Sequence, residues 1–264
     1  MRSRSGKHGD DLGDRMKKYE QVETGRRFLP LLPVYARLDG RCFSKFTKGM
    51  RRPYDPDMSA AMIETTRALV EKTNALVGYT QSDEISLVWF NEDSRQQIYF
   101  DGKTQKMVSC LAADATAEFL IRALELWPEK SRSSLPRFDC RVMQLPNKDE
   151  CANMLLWREK DAVKNSITMA ASAHFSHREL LGVGTAARYR MLLQKGVDWN
   201  DYPVSFKRGS WIRRRRVLRH LTEEELARIP SKPPPTAPVR RRECAPFEMP
   251  PLSRIENLVD VIFD

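Results

Sequence analysis

The chain has 264 residues, 41% of them apolar, enough to bury a core and too many for wholesale disorder. Its 45 lysines and arginines outnumber 35 acids for a net charge of +10, which suits a polyanionic partner such as RNA. The five cysteines form no C-x-x-C pair and the four histidines lie at mismatched spacings, which argues against a disulfide framework and a structural zinc site. No apolar run is long enough to span a bilayer. The charged first residues have no apolar stretch behind them. A reducing cytoplasm and no membrane contact are expected.

In chain order, residues 1–14 read as a flexible tail, and Arg15 opens a short helix that runs toward Phe28. Val34 to Asp39 alternates as a strand. Asp57 and Ser59 are candidate caps for the next helix, along which Met58, Ala61, Met62, Thr65, Leu69 and Val70 recur at helical spacing. Gly78 begins a hairpin-like pair of strands, one of which runs into Gln81-Ser82-Asp83-Glu84 and is continued by the apolar Ile85 to Phe90. A helix from about Lys103 to Trp127 and a strand over Phe138–Met143 follow. Strand, helix, two strands, helix, strand is the order of a ferredoxin-like α+β fold, with an antiparallel sheet and both helices on one face. That catalytic domain would occupy 15–146. Residues 147–229 read as a basic helical and strand extension suited to contacting RNA, and 230–264 as a proline-rich C-terminal arm whose end, Ile255 to Phe263, is amphipathic enough to return to the body.

Two acids stand at strand edges, Asp39 and Asp83. Taken alone, Asp39-Gly40 is as readily a turn, and Asp83-Glu84 as readily a solvated hairpin. Taken together, the ferredoxin-like order sets the first strand beside the hairpin, so the two carboxylates converge on one edge. Two such groups a few Å apart repel, and a divalent cation is the ordinary way to keep both ionised. Magnesium suits so small a set of hard oxygen donors, with phosphate oxygens completing the shell. Two ions roughly 3.5–4 Å apart would ready an attacking oxygen and neutralise a leaving pyrophosphate. The backbone N–H groups after Gly40 would face those phosphates as the chain turns into a helix, and a side chain at Gly40 would block close approach. Spacing alone stops there, at metal and triphosphate.

The motifs Arg37-Leu38-Asp39-Gly40-Arg41-x-Phe43, Arg52-Pro53-x-Asp55 and Gln81-Ser82-Asp83-Glu84-x-Ser86 resemble those of the tRNA-His guanylyltransferase family and its Thg1-like relatives. Trp157-Arg158-x-x-Asp161-x-x-x-Asn165 and Lys207-Arg208-Gly209 resemble two further stretches of that family. The resemblance spans roughly Arg15 to Ile212. It implies a polymerase-like palm in which Asp39 and Asp83 are catalytic and bind two Mg2+ ions, with the Gly40 carbonyl as a further ligand. It also implies nucleotide binding by Asp39, Gly40, Arg41, Cys42, Phe43 and Ser44, with Arg52, Ser82 and Asp83 assisting. The implied chemistry is addition of a nucleotide from GTP to the 5′ end of tRNA after activation of that end by ATP, in a homotetramer. Arg158, Asn165, Lys207 and Arg208 are candidate contacts to RNA or a second nucleotide, and the run Arg213 to Arg216 is either another or a solvated face. Trp157 reads as a core anchor. Val163 stands where many members carry a histidine, Arg52 where they carry a lysine, and Ser44 where histidine is frequent. Two other readings share features of this chain: a palm-type cyclase acting on free nucleotides, and a non-catalytic RNA-binding protein that kept the fold.

Overall fold

The computed structural model describes residues 11–229 and 237–263. Most of the expected tail, and the start of the expected arm, therefore lie outside the described residues. Helix α1, Asp11–Thr24, starts earlier than read, with Asp11 and Asp14 in its first turn, where acids complement the helix dipole.

Strand β1, Val34–Arg41, turns Val34, Ala36 and Leu38 to one core and Tyr35 to another, the two-residue period of a strand buried on both faces. A four-residue helix α2, Phe43–Phe46, follows. Helix α3, Pro56–Thr73, is capped by Asp55 rather than Asp57 or Ser59: the Asp55 side chain accepts from the Asp57 and Met58 amides. Pro56 decides this, because proline suits the first helical position and hands the cap to the residue before it. Met58, Ala61, Met62, Thr65, Leu69 and Val70 are buried as the spacing predicts. Strands β2, Val77–Gln81, and β3, Glu84–Trp89, form the hairpin. The α3 helix crosses β2 so closely that a Cβ on Gly78 would lie 2.6 Å from a Val70 methyl and 2.8 Å from the Thr66 methyl. Helix α4, Thr104–Leu126, a short α5, Pro128–Ser133, and strand β4, Arg137–Gln144, complete the expected series.

The first four strands lie in the order β4-β1-β3-β2, with every pairing antiparallel, and α3 and α4 share one core with the β1, β3 and β4 side chains of that face. This is the expected ferredoxin-like palm. The sheet does not stop there. Strand β5, Ser210–Arg219, pairs with β2, and strand β6, Val239–Phe247, pairs with β5. The supposed extension and arm thus contribute two strands to the palm sheet. Trp211 and Ile212 explain the docking of β5, since both are buried, one on each face. Pro246 is tolerated because β6 is an edge strand, where a missing N–H costs no ladder bond.

The second face is covered as well. Helix α6, Lys148–His174, packs Cys151, Ala152 and Leu155 against Tyr35, Val77, Tyr79, Val88 and Trp211, joined by Met249, Leu252 and Ile262 from the C-terminal residues. One ion pair clips α6 to the sheet. Arg158 Nε and Nη2 each lie 2.6 Å from a Glu84 carboxylate oxygen, and both side chains are only 7% exposed. Removing one partner of such a pair strands the other charge in the interior. We expect Arg158→Met to destabilise the fold by about 3 kcal/mol and the double replacement Arg158→Met with Glu84→Leu to recover most of that loss. Denaturant unfolding of the three proteins checks it, and equal loss in single and double variants contradicts it.

Candidate active site

The palm register sets the two acids side by side. Asp39 on β1 faces Glu84 on β3, and at the next step the Gly40 amide donates to the Asp83 carbonyl oxygen at 2.9 Å. Asp83 itself is half of the two-residue turn between β2 and β3, where Ser82 takes a left-handed φ of 48°. Asp39 Oδ2 accepts from Arg141 Nη1 at 2.9 Å and from Arg37 Nε at 3.2 Å. The Asp83 carboxyl is pushed up, first by burial and then by the negative charge of Asp39, against a hydrogen bond from Ser82 Oγ at 3.2 Å. The negative charge of Asp39 thus bears on Asp83, while Asp39 itself is held by two guanidinium groups.

The bend after Gly40 has a different basis from the expected one. A Cβ at Gly40 would fall 2.4 Å from the Phe43 ring, so glycine is required by packing within the loop. That ring is 3% exposed and sits 5.0–5.6 Å from the rings of Phe138, Phe119 and Phe46. Phe43 therefore anchors the loop and offers a ligand only its backbone. Cys42 reaches α2 through a left-handed φ of 58°. The Gly40 N–H is held by Asp83, and those of Lys45 and Thr47 donate to the Cys42 and Phe43 carbonyls. The expected cradle of N–H groups from Gly40 to Ser44 thus loses its first member. A helix of four residues also carries little of the dipole the reading invoked.

Beside this bend opens a cleft of about 670 Å³. Its walls include Phe43, Ser44, Arg52, Ser82, Asp83 and Asn165 from among the sequence candidates. Asp39 is not a wall of the cleft and stands one ladder step from Asp83. Lys48, Arg51, Tyr54 and Phe206 also line it and were not singled out from sequence. Tyr54 and Phe206 are stacked, with ring centroids 4.9 Å apart and an interplanar angle of 23°. Nothing in the local spacing links them, since 152 positions separate the two numbers. Arg51 is held by Asp55 and Asp57.

Three candidate RNA contacts are engaged elsewhere. Arg158 is buried on Glu84 and also bonds Asp161 at 3.0 Å. Arg208 pairs with Glu159 at 3.4 Å and donates to the Met249 carbonyl. Lys207 donates to the Asn200 carbonyl and lies over the Trp199 ring. Arg158 and Arg208 find these partners across 74 and 49 positions, which local spacing does not reveal, whereas Lys207 turns back on a stretch seven positions before it. Trp157 is 47% exposed and stacks under Arg158 and Arg37, so it is no core anchor. Among the described residues, no group of three or more His, Cys, Asp or Glu side chains converges as a metal cage. The Asp39–Asp83 pair fits the other mode of binding, in which magnesium takes one or two carboxylates and completes its shell with substrate phosphates.

Comparison with known proteins agrees with the motifs and the sheet. Residues 13–146 match the family model described as tRNAHis guanylyltransferase. A tRNA(His) guanylyltransferase of Schizosaccharomyces pombe is 29% identical over 216 residues, covering 75% of this chain and 78% of the yeast protein. A bacterial tRNA(His) guanylyltransferase (Thg1)-like protein solved in complex with ATP superposes with a TM-score of 0.72 at 38% identity, over 78% of this chain and 87% of that one. A bacterial Thg1-like protein in complex with GTP gives 0.72 at 32% identity, over 96% of this chain and all of the other. The acids on neighbouring palm strands and these matches lead to one conclusion: the chain belongs to the tRNAHis guanylyltransferase family and is a nucleotidyltransferase.

Proposed function

We propose that this protein transfers a guanylate from GTP to the 5′ end of a tRNA, using Mg2+ and, for a monophosphorylated end, ATP. The observation that carries this is the register that sets Asp39 one ladder step from Asp83, beside a cleft with basic and aromatic walls. Asp39 and Asp83 would hold the magnesium, which when bound supplies charge neutralisation on the phosphates and lowers the pKa of the attacking hydroxyl. Arg52 and Lys48, at the wall, attract the triphosphate, and the stacked Tyr54–Phe206 pair offers a π face for a base. Ser82 and Asn165 add hydrogen-bonding groups to the same walls. Arg37 and Arg141, which donate to Asp39 Oδ2, would be available to phosphate oxygens were that carboxylate to hold the metal. In-line transfer at phosphorus needs mainly this positioning and charge neutralisation. ATP first adenylylates the 5′-phosphate and pyrophosphate leaves; the 3′-hydroxyl of GTP then attacks that phosphorus, AMP leaves, and the added guanylate carries its own triphosphate as the new 5′ end. The nucleotide-bound bacterial neighbours support the assignment of both nucleotides. A cytoplasmic homo-oligomer is the form we infer for the working enzyme.

The test is incubation with magnesium, labelled GTP and 5′-monophosphorylated tRNA, with and without ATP. Label should enter the RNA in an ATP-dependent way; a cyclic nucleotide as product, or no product, contradicts the reading. Asp83→Asn should lower incorporation by at least about 10²-fold, and unchanged turnover would remove Asp83 from the site.

The raised carboxyl of Asp83 sets a pH dependence. Its folded pKa lies above the unfolded value, so in that window the native state binds more protons and stability of the metal-free protein falls as pH rises. Asp83→Asn removes this term. The variant should melt at or above the wild-type temperature at neutral pH, with the difference shrinking below pH 4, as differential scanning fluorimetry would show. A variant that melts lower at every pH contradicts it.

A further inference from the structure

The β5–β6 ribbon carries a charge distribution that the nucleotide site does not use. Pairing with β2 covers only Ser210 to Arg213 of β5. From Arg214 to Arg219 the strand pairs on that side with nothing in the sheet and continues with β6 alone. The root is fixed, because Arg214 donates to the Glu71 carbonyl at 2.8 Å and to Asn74 at the C-terminal end of α3, a favourable place for a cation. β5 runs antiparallel to β2, away from the Ser82-Asp83 turn. At about 3.3 Å per residue, its Leu218 lies roughly 25 Å from the end next to Thr80.

The two faces of the ribbon differ in charge balance. One face carries Arg213, Arg215, Arg219 and Arg241: Arg219 and Arg241 bond Glu225 and Glu243, and Arg213 and Arg215 lie over the Phe247 ring. On the other face, Arg240 and Arg242 are exposed and no ion pair is found for either among the described residues. The register sets Arg242 opposite position 216, also arginine, and Arg240 opposite the 68%-exposed Leu218. Blunting an edge strand against aggregation needs only an occasional charge, so the exposed Arg240 and Arg242 on one face of β6 suit an external anion.

We propose that this face of the β5–β6 ribbon is a phosphate-backbone contact for the body of the RNA substrate, about one strand length from the acids that act on its 5′ end. The proposal rests on the functional reading above. RNA fits better than a nucleotide because the arginines lie along an extended strand and not in the cleft, and better than a protein because the exposed apolar side chains of this face, Leu218 and Pro246, stand at its two ends.

The test uses the full chain and two 5′-monophosphorylated RNAs: a complete tRNA, and a hairpin too short to reach from the acids to the ribbon. With Arg240→Gln/Arg242→Gln, binding of the tRNA should weaken and the slope of log affinity against log salt should become shallower by about two. Guanylate addition to the short hairpin should keep its kcat/KM. Arg240→Lys/Arg242→Lys should retain the wild-type slope. An unchanged slope for the tRNA overturns the proposal, as does equal loss on both RNAs. A shift in oligomeric state by sedimentation with the slope intact overturns it in favour of a protein interface. If wild-type protein labels neither RNA, the functional reading fails while the salt slope still decides the ribbon.

Discussion

The antiparallel register between β1 and the β2–β3 hairpin is the constraint on which the site depends. It pairs Asp39 with Glu84 and ties the Gly40 amide to the Asp83 carbonyl. Side chains alternate along a strand, so a slip of one residue would turn Asp39 into the core now filled by Leu38 and Ala36. That core fixes the register from behind, and the Glu84–Arg158 pair fixes it from the other face. Function and stability therefore share the same ladder steps. Asp39 and its ladder partner Glu84 project from the same face of the sheet, Asp39 onto Arg37 and Arg141 and Glu84 onto Arg158 of α6.

Several features next to the acids work against stability. Ser82 and Cys42 adopt left-handed conformations without being glycine, a cost of order 1 kcal/mol or more each. Asp83 is driven toward its neutral form by burial and by Asp39. The structure offsets these costs locally: the Phe43, Phe46, Phe119 and Phe138 rings clamp the bend, and Arg37 with Arg141 compensates Asp39. Such an arrangement would suit a divalent ion that brings phosphate ligands of its own.

Much of this was legible in the sequence because the signals are local. The alternation of Val34 to Asp39, the helical spacing from Met58 to Val70 and the hairpin after Gly78 each carry their meaning within a few residues. What stayed hidden depends on distant partners. Arg158 looks like a surface cation until Glu84, 74 positions away, is seen to hold it. The run after Ser210 lacks clean alternation because arginine stems can follow either face, so its union with β2 was not readable. Gly40 signalled a bend but not the Phe43 ring that requires it. Tyr54 and Phe206 meet only through the folded chain.

The most direct test of the central claim is a crystal structure of the wild-type protein with GTP and magnesium. The account predicts electron density for magnesium with carboxylate oxygens of both Asp39 and Asp83 in its inner shell, at about 2.0–2.1 Å, and with phosphate oxygens completing it. Magnesium bound by the triphosphate while Arg37 and Arg141 still hold Asp39, or bound by neither acid, would contradict it.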